Sequence, residues 1–104
     1  ASADNGQPHW LRFELGHPRP VRGINLYWNR EASQCFAPRS YRIVLHTDAG
    51  DVVVKTVNDD RERSFDAHVW ASVTASAVSV EQEAHGGVRH RPGIMWVREV
   101  QILE

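Results

Sequence analysis

Apolar residues recur at every second position in residues 10–15 and again in residues 24–28. This two-residue period is typical of a β-strand that buries one face. The intervening segment, residues 16–20, reads GHPRP. Its glycine frees the backbone and each of its prolines removes a backbone donor, so a regular strand should stop there. The pattern predicts two antiparallel strands joined by a short corner, to which later segments add further strands.

The rest of the chain consists of short alternating stretches between polar segments. Further strands are predicted at residues 41–47, 52–57, 72–83 and 94–103, whereas residues 65–71 are ambiguous. No stretch has the helical period of about 3.6 residues. The sequence therefore predicts an all-β protein, an antiparallel β-sandwich forming one domain over residues 1–104. The inward-facing side chains should form one core: Leu11, Phe13, Leu15, Ile24, Leu26, Ile43, Leu45, Val100 and Ile102.

Composition excludes several classes of partner. The formal charge of −1 over 104 residues gives no basis for nucleic-acid binding. No apolar run is long enough to cross a membrane, and no signal peptide is visible, which indicates a mature or excised domain. Cys35 is the single cysteine, so the chain forms no internal disulfide.

Four segments resemble one family. Residues 8–16 (PHWLRFELG) and 20–28 (PVRGINLYW) are similar to the signature of the coagulation factor 5/8 type C, or discoidin, domains. Relatives of these domains include the bacterial family 32 carbohydrate-binding modules. Residues 39–50 (RSYRIVLHTDAG) and 97–103 (VREVQIL) resemble later strands of the family. The resemblance implies a galactose-binding-like jelly roll without enzymatic activity, which binds its ligand through loops at one end and works outside the cell or on its surface.

The chain also departs from the family. Family members usually begin with further strands and a metal-binding loop, but only nine residues precede Trp10. We therefore expect these N-terminal strands to be reduced, missing or supplied by another chain. Glu99 corresponds to an acidic residue that helps to bind calcium in relatives, but calcium takes about six to eight oxygen ligands. A structural calcium ion thus stays an open alternative. The cysteine pair of the animal domains is absent, which favours the bacterial carbohydrate-binding branch.

Strand order predicts where the ligand site lies. Consecutive connections in an antiparallel succession alternate between the two ends of a sandwich. The turns at residues 16–20 and 48–51 should therefore share one end. The lead-in and the long loops should share the other: residues 1–9, 29–40, 58–64 and 85–93.

The side chains on these loops suit a saccharide, whose hydroxyls need forked donors and acceptors and whose C–H face stacks on aromatic rings. An acidic group on the sugar would also be matched by the arginines. The predicted ligand-binding residues are Asn29, Arg30, Phe36, Arg39, His85, Arg89, His90 and Arg91. Phe36 is expected either to offer a stacking surface or to fill a small core of its own loop. Trp28 and Trp96 are assigned to the core.

Catalytic and metal chemistry are less well supported. His85 and His90, with His68 upstream, make zinc conceivable, but no cysteine lies near them. Ser64 and Asp66 belong to residue types found in hydrolases, but no nucleophile elbow surrounds them. Two functions remain. One is a carbohydrate-binding module of a larger secreted enzyme or adhesin, recognising a galactose-type or related sugar. The alternative is a protein-interaction or structural sandwich that docks a partner chain on its loops or an open edge.

Overall fold

The computed structural model describes residues 7–31, 34–88, 90 and 92–104. Within these ranges all regular secondary-structure elements of the chain are strands, connected by turns and loops, which confirms the all-β prediction. The strands are β1 (His9–Trp28), β2 (Arg30–Glu31), β3 (Gln34–Cys35), β4 (Ser40–Thr47), β5 (Gly50–Asn58), β6 (Phe65–Gln82) and β7 (Val97–Leu103). The described part of the chain contains no helix that could span a membrane.

Two long strands, β1 and β6, organise the main sheet. Its strand order is β5-β4-β6-β1-β7, while β2 and β3 form a separate small hairpin. All pairs are antiparallel. Strand β4 pairs with β5 on one side and with only the second half of β6 on the other, and β7 pairs with only the second half of β1. The sheet therefore has two halves, which the long strands connect. The first half contains residues 9–14 of β1 with β4 and β5, and the second contains residues 23–28 of β1 with β7.

The two halves fold onto each other. Pairing of β1 with β6 shifts register between Glu14 and Arg19, next to Gly16, which has a φ of +85°. Trp28, in the second half, packs against Tyr41, in the first, with ring centroids 5.3 Å apart. Because side chains of the two halves meet, the bent sheet is a β-sandwich and both ends of β1 lie at the same end of it.

This geometry corrects one prediction. Residues 10–15 and 24–28 do not pair with each other, because they are two parts of the continuous strand β1 and both pair with β6. The Gly/Pro segment bends that strand instead of reversing it. Prolines cannot donate to the strand ladder, and bulges bend strands, so such a segment suits the crease of a folded sheet.

The predicted core is confirmed as one cluster. Four of its members are fully buried, namely Ile24, Leu26, Ile43 and Leu45, and the others pack against them half-buried, namely Leu11, Phe13, Leu15, Val100 and Ile102. Trp28 is also fully buried, as predicted. Val78 and Val80 of β6 complete the cluster, which the sequence pattern did not assign.

Strand β6 explains why residues 65–71 were ambiguous. In this half of β6 the less exposed side chains are Asp66, His68 and Trp70, whereas Phe65 and Val69 are exposed, the latter by 64%. Polar side chains thus occupy inward positions, and the usual apolar-inward alternation is reversed. The sequence therefore gave no clear strand signal in a segment that pairs with β1 along its length.

Candidate functional site

The long loops meet at one end of the sandwich, as predicted. We call this surface the loop rim and define it as residues 29–40, 58–64 and 83–96, of which residues 32, 33, 89 and 91 lie outside the described part. Backbone hydrogen bonds join its segments, from the amide of Ser40 to the carbonyl oxygen of Gly86 (2.9 Å) and from the amide of Asp59 to that of Arg39 (2.8 Å). Pro18, Asp48 and Ala49 instead line a common cavity at the opposite end.

A small apolar cluster supports the loop rim. It contains Phe36, Val88 and Ile94, with Trp96 packed against it. Phe36 is 2% exposed, and its ring lies 5.0 Å from that of Trp96 and 5.2 Å from that of His90. The prediction that Phe36 offers a stacking surface is therefore wrong, because a buried ring has no free face for a sugar. The residue holds the loops in position instead.

Arg39 fastens two segments of the loop rim to each other. Its Nε donates a hydrogen bond to the carbonyl oxygen of Gly87 (2.8 Å), and its Nη2 donates one to that of His85 (2.9 Å). The same side chain lines two cavities. Arg39 therefore positions the loop at residues 85–87 and also borders the space in which a ligand would lie.

The first of these spaces, cavity A, has a volume of about 540 Å³. It lies within the size range of about 300–1,000 Å³ that small-molecule sites occupy. Its lining mixes donors, acceptors and two apolar side chains: Gln34, Ala37, Arg39, Asp60, Arg61, Glu62, Val88 and His90. His90 is exposed, and its Nε2 lies 3.2 Å from the carbonyl oxygen of Cys35.

The second space, cavity B, has a volume of about 530 Å³ and shares Arg39 and Asp60 with cavity A. Its other lining residues are Ser40, Asn58, Asp59, Glu83, Ala84, His85 and Gly86. His85 has a φ of +60°, a conformation that most side chains avoid. This backbone conformation belongs to the turn that carries the exposed imidazole to the edge of the cavity.

A polar network links the loop rim to the core. The Asp66 carboxylate accepts hydrogen bonds from Trp28 Nε1 (3.0 Å), from the Tyr41 hydroxyl (2.6 Å) and from Arg63 Nε (2.7 Å). Arg63 also donates to the carbonyl oxygens of Pro38 (2.9 Å) and Asp59 (3.0 Å). One guanidinium therefore connects a buried carboxylate with two loops of the rim.

The network shifts several pKa values. Burial by itself would raise the pKa of Asp66, but the hydrogen bonds from Arg63, Tyr41 and Trp28 outweigh it, and the pKa lies below its usual value. Burial raises the pKa of Tyr41 far above its usual value, and the hydrogen bond to Asp66 adds to the effect. Burial lowers the pKa of His68, against the attraction of the Asp66 charge. On the exposed loop, hydrogen bonds from Arg61 hold the pKa of Asp59 well below its usual range.

The predicted site residues divide into three groups. Arg39, His85 and His90 lie around the two cavities. Asn29 and Arg30 line neither cavity: Arg30 is exposed on β2, and the Nδ2 of Asn29 is buried without a hydrogen-bond partner among the described residues. Arg89 and Arg91 lie outside the described residues.

The predicted ligand-binding residues do not include several side chains that line the cavities, namely Gln34, Asn58, Asp59, Asp60, Arg61, Glu62 and Glu83. Five of them belong to the charged loop at residues 58–64, and their charge density was the signal available in the sequence.

The side chains present do not fit the metal sites considered from the sequence. Within the described residues, no three His, Cys, Asp or Glu side chains are grouped to hold a metal ion. Glu99 lies exposed on β7. A calcium site built on Glu99 would need further oxygen ligands beside it, and a zinc site built on His85 and His90 would need a third ligand within reach.

Searches with this sequence found no matching protein-family model and no matching curated protein. Solved structures do match. Chitosan-binding module 1 of a chitosanase/glucanase from Paenibacillus sp. IK-5 superposes with a TM-score of 0.74 at 24% identity, covering 94% of this chain and 70% of that module. The module CpGH89CBM32-5 from Clostridium perfringens, solved with GalNAc-β-1,3-galactose, superposes with a TM-score of 0.72 at 14% identity, covering 96% of this chain and 68% of that one. The lectin domain of lectinolysin, solved with Lewis B antigen, superposes with a TM-score of 0.71 at 15% identity, covering 95% of this chain and 67% of that one.

The chain has the fold of these carbohydrate-binding modules. The resemblance carried by the sequence motifs is thus confirmed at the level of the fold.

Proposed function

We propose that this protein is a carbohydrate-binding module that holds a glycan in cavities A and B of the loop rim, without turnover. The observation that carries the proposal is the pair of adjoining cavities, which share Arg39 and Asp60 and are lined by polar side chains from several loops. The proposal is supported by the fold neighbours, which were solved as a chitosan-binding module and as domains bound to sugars.

The lining chemistry suits a pyranose. Each sugar hydroxyl both donates and accepts a hydrogen bond, so a site needs both kinds of group side by side. Around cavity A, Arg61 and His90 supply donors, Asp60 and Glu62 supply acceptors, and Val88 supplies an apolar contact for a C–H face. Hydrogen bonds to charged groups are roughly twice as strong as neutral ones. Arg39 contributes by holding the loop at residues 85–87.

Binding should be weak. The cavities are open to solvent, and desolvation of hydroxyls offsets much of each hydrogen bond. A dissociation constant on the order of 0.1–1 mM, or about 4–5.5 kcal/mol, corresponds to a few such contacts. A galactose-type or related sugar is the proposed ligand. Such a module would keep a larger secreted enzyme or adhesin on a glycan outside the cell or on its surface.

A glycan array followed by calorimetric titration of the best ligand tests the proposal. His90→Ala and His85→Ala should each weaken binding of that ligand strongly while the melting temperature stays nearly constant, because both imidazoles are exposed. His17→Ala is the matched control, since His17 is an exposed histidine at the opposite end of the sandwich. The proposal fails if no glycan binds, or if His17→Ala weakens binding as much as the two rim variants do. A partner protein that covers the rim in the absence of any glycan ligand would favour the interaction-module alternative.

A further inference from the structure

A second concave surface lies outside the loop rim, on the outer face of the first half of the sheet. It is a groove of about 470 Å³ that runs over strands β1, β6 and β4. Its lining residues are Pro8, His9, Trp10, Arg12, Arg42, His46, Ser79, Glu81, Gln82 and Glu83. Glu83 is the one residue that it shares with cavity B.

Strand register explains the shape of the groove. Trp10 on β1 and Arg42 on β4 both pair with Glu81 on β6, so the three side chains form one row across the face. In the next row, Ser79 of β6 is 3% exposed and pairs with Arg12. Ser79 is the small lining residue of β6, and it forms a floor between the longer side chains of Arg12 on β1 and His46 on β4. Since β1 and β4 flank β6 and neighbouring strands lie about 4.8 Å apart, the backbones that carry the two walls are about 10 Å apart.

Trp10 gives the groove an aromatic wall. Its side chain is 67% exposed, the largest exposure among the large hydrophobic residues of the described chain. An exposed indole offers an apolar face and one N–H donor to a ligand. This combination matches the alternating C–H and hydroxyl surfaces of a pyranose, and it differs from the loop rim, where Phe36 is buried.

The charges of the groove point to a neutral ligand. Its two arginines and two glutamates balance, and Arg42 is paired with Glu81 at 2.8 Å. His46 donates through Nδ1 to Asp51 (2.8 Å), which leaves its Nε2 to accept from the Ser79 hydroxyl. These paired side chains present hydrogen-bond donors and acceptors next to each other, while their charges cancel. Such a surface would not attract a polyanion, but it can exchange hydrogen bonds with hydroxyl groups.

From this juxtaposition we infer that the groove over β1, β6 and β4 is a second saccharide-binding surface, which takes a neutral oligosaccharide with one ring stacked on Trp10 and adjacent hydroxyls on the Arg42–Glu81 pair. The inference is separable from the rim proposal, because the two surfaces share Glu83 alone and the proposed contacts of the groove, Trp10 and the Arg42–Glu81 pair, line neither cavity A nor cavity B.

The test uses a rim-deficient background, the His85→Ala/His90→Ala double variant, and a panel of neutral galacto-, cello- and N-acetylchito-oligosaccharides. A binding oligosaccharide should protect Trp10 from iodide quenching of its fluorescence. Adding Trp10→Ala should weaken binding about tenfold, the scale of an aromatic contact, whereas Trp10→Phe should retain most of it. Val69→Ala is the matched control, because Val69 is 64% exposed on the other half of the sheet.

Three results would overturn the inference. One is that no oligosaccharide of the panel binds the rim-deficient protein. Another is that Trp10→Ala changes the affinity no more than Val69→Ala does. The third is a concentration-dependent dimer in sedimentation that Trp10→Ala dissociates, because a second copy would then occupy the groove. Failure of the rim proposal looks different: the rim variants would leave binding intact while Trp10→Ala removes it.

Discussion

The hydroxyl group of Tyr41 donates a hydrogen bond of 2.6 Å to the carboxylate of Asp66 across the interior of the sandwich. Tyr41 belongs to β4 in the first half of the sheet, and Asp66 belongs to β6 in the second. His68 Nε2 lies 2.7 Å from the same hydroxyl oxygen. Because the tyrosine proton is given to Asp66, the imidazole must donate to the hydroxyl oxygen, so the neutral ring carries its proton on Nε2. This contact joins the folded halves at the end that carries the loop rim.

Tyr41→Phe should lower the free energy of unfolding by about 1–3 kcal/mol, because Asp66 loses a donor and the Nε2–H of His68 loses its acceptor in a partly buried site. Urea denaturation measures this. Tyr27→Phe is the matched control, since the Tyr27 hydroxyl is exposed and lies 3.4 Å from Gln101. Its effect should stay below about 0.5 kcal/mol. Equal effects of the two variants would show that the buried hydroxyl does not join the halves.

Stability should fall as the pH decreases. His68 has a lowered pKa in the folded state, so the unfolded chain binds more protons than the folded chain below about pH 6.5. The contribution of neutral His68 to the free energy of unfolding is therefore fully present above that pH. It is lost as the pH falls through the pKa of the folded state. Asp66 also has a lowered pKa, and its contribution is lost at more acidic pH, below about 3.9. In a plot of melting temperature against pH, His68→Gln should reduce the decrease that begins near pH 6.5 and should leave the decrease at more acidic pH unchanged. A profile unchanged by His68→Gln would contradict this assignment.

Leu26→Ala should destabilise the protein by about 2–5 kcal/mol, because Leu26 is fully buried in the core and its removal leaves a cavity. Chemical denaturation with an unchanged m-value checks this. Val69→Ala, which also truncates an aliphatic side chain of the sheet but at an exposed position, should cost less than about 1 kcal/mol. A cost below about 1 kcal/mol for Leu26→Ala would mean that the register of β1 is wrong.

Gly23→Ala should cost about 1–3 kcal/mol. A Cβ at this position would lie 2.8 Å from the carbonyl oxygen of His68 and 3.0 Å from Leu103 Cδ1, so the backbone of β6 would have to move away and the Leu103 side chain would have to shift. Gly16→Ala should lower stability for a different reason. A Cβ there meets nothing within 4 Å, but the φ of +85° disfavours alanine. Its cost should be about 1 kcal/mol. Thermal denaturation of both variants should rank Gly23→Ala as the more damaging, and the reverse order would contradict the close approach of β1 to β6.

Arg39→Ala should weaken glycan binding at the loop rim and also lower the melting temperature by a few degrees. Arg39 holds the carbonyl oxygens of His85 and Gly87, so its loss frees the loop that must be ordered for binding. His90→Ala removes an exposed side chain whose contacts are one hydrogen bond to Cys35 and the edge of the Phe36 ring, so it should lower the melting temperature less than Arg39→Ala does. Calorimetric titration and thermal denaturation of both variants separate a positioning residue from a contact residue. Equal melting temperatures for the two variants would count against the positioning role of Arg39.

Much of the fold follows from local sequence patterns. Alternation in residues 10–15, 24–28 and 41–45 predicted the strands and their buried side chains, because the side-chain period of a strand is a local property. The core list built on these patterns is correct. The same patterns led to a family resemblance whose implied fold the comparison with solved structures confirms. The gathering of residues 29–40 and 58–64 at one end follows from the alternation of antiparallel connections between ends. Residues 85–93 join them because β6 pairs with both halves of β1 and therefore bends back with it, which the sequence pattern did not show.

The tertiary structure alone decided which segments pair and which loop side chains stay exposed. Residues 10–15 and 24–28 became one bent strand because both found their partner in β6, a segment whose inward Asp66 and His68 hide its strand character. Phe36 was buried because Val88, Ile94 and Trp96 converge on it from distant parts of the chain. Pairing, burial and cavity shape are sums of contacts between residues far apart in sequence. A pattern read along the chain shows which side chains prefer to be buried, but only the fold determines what they meet.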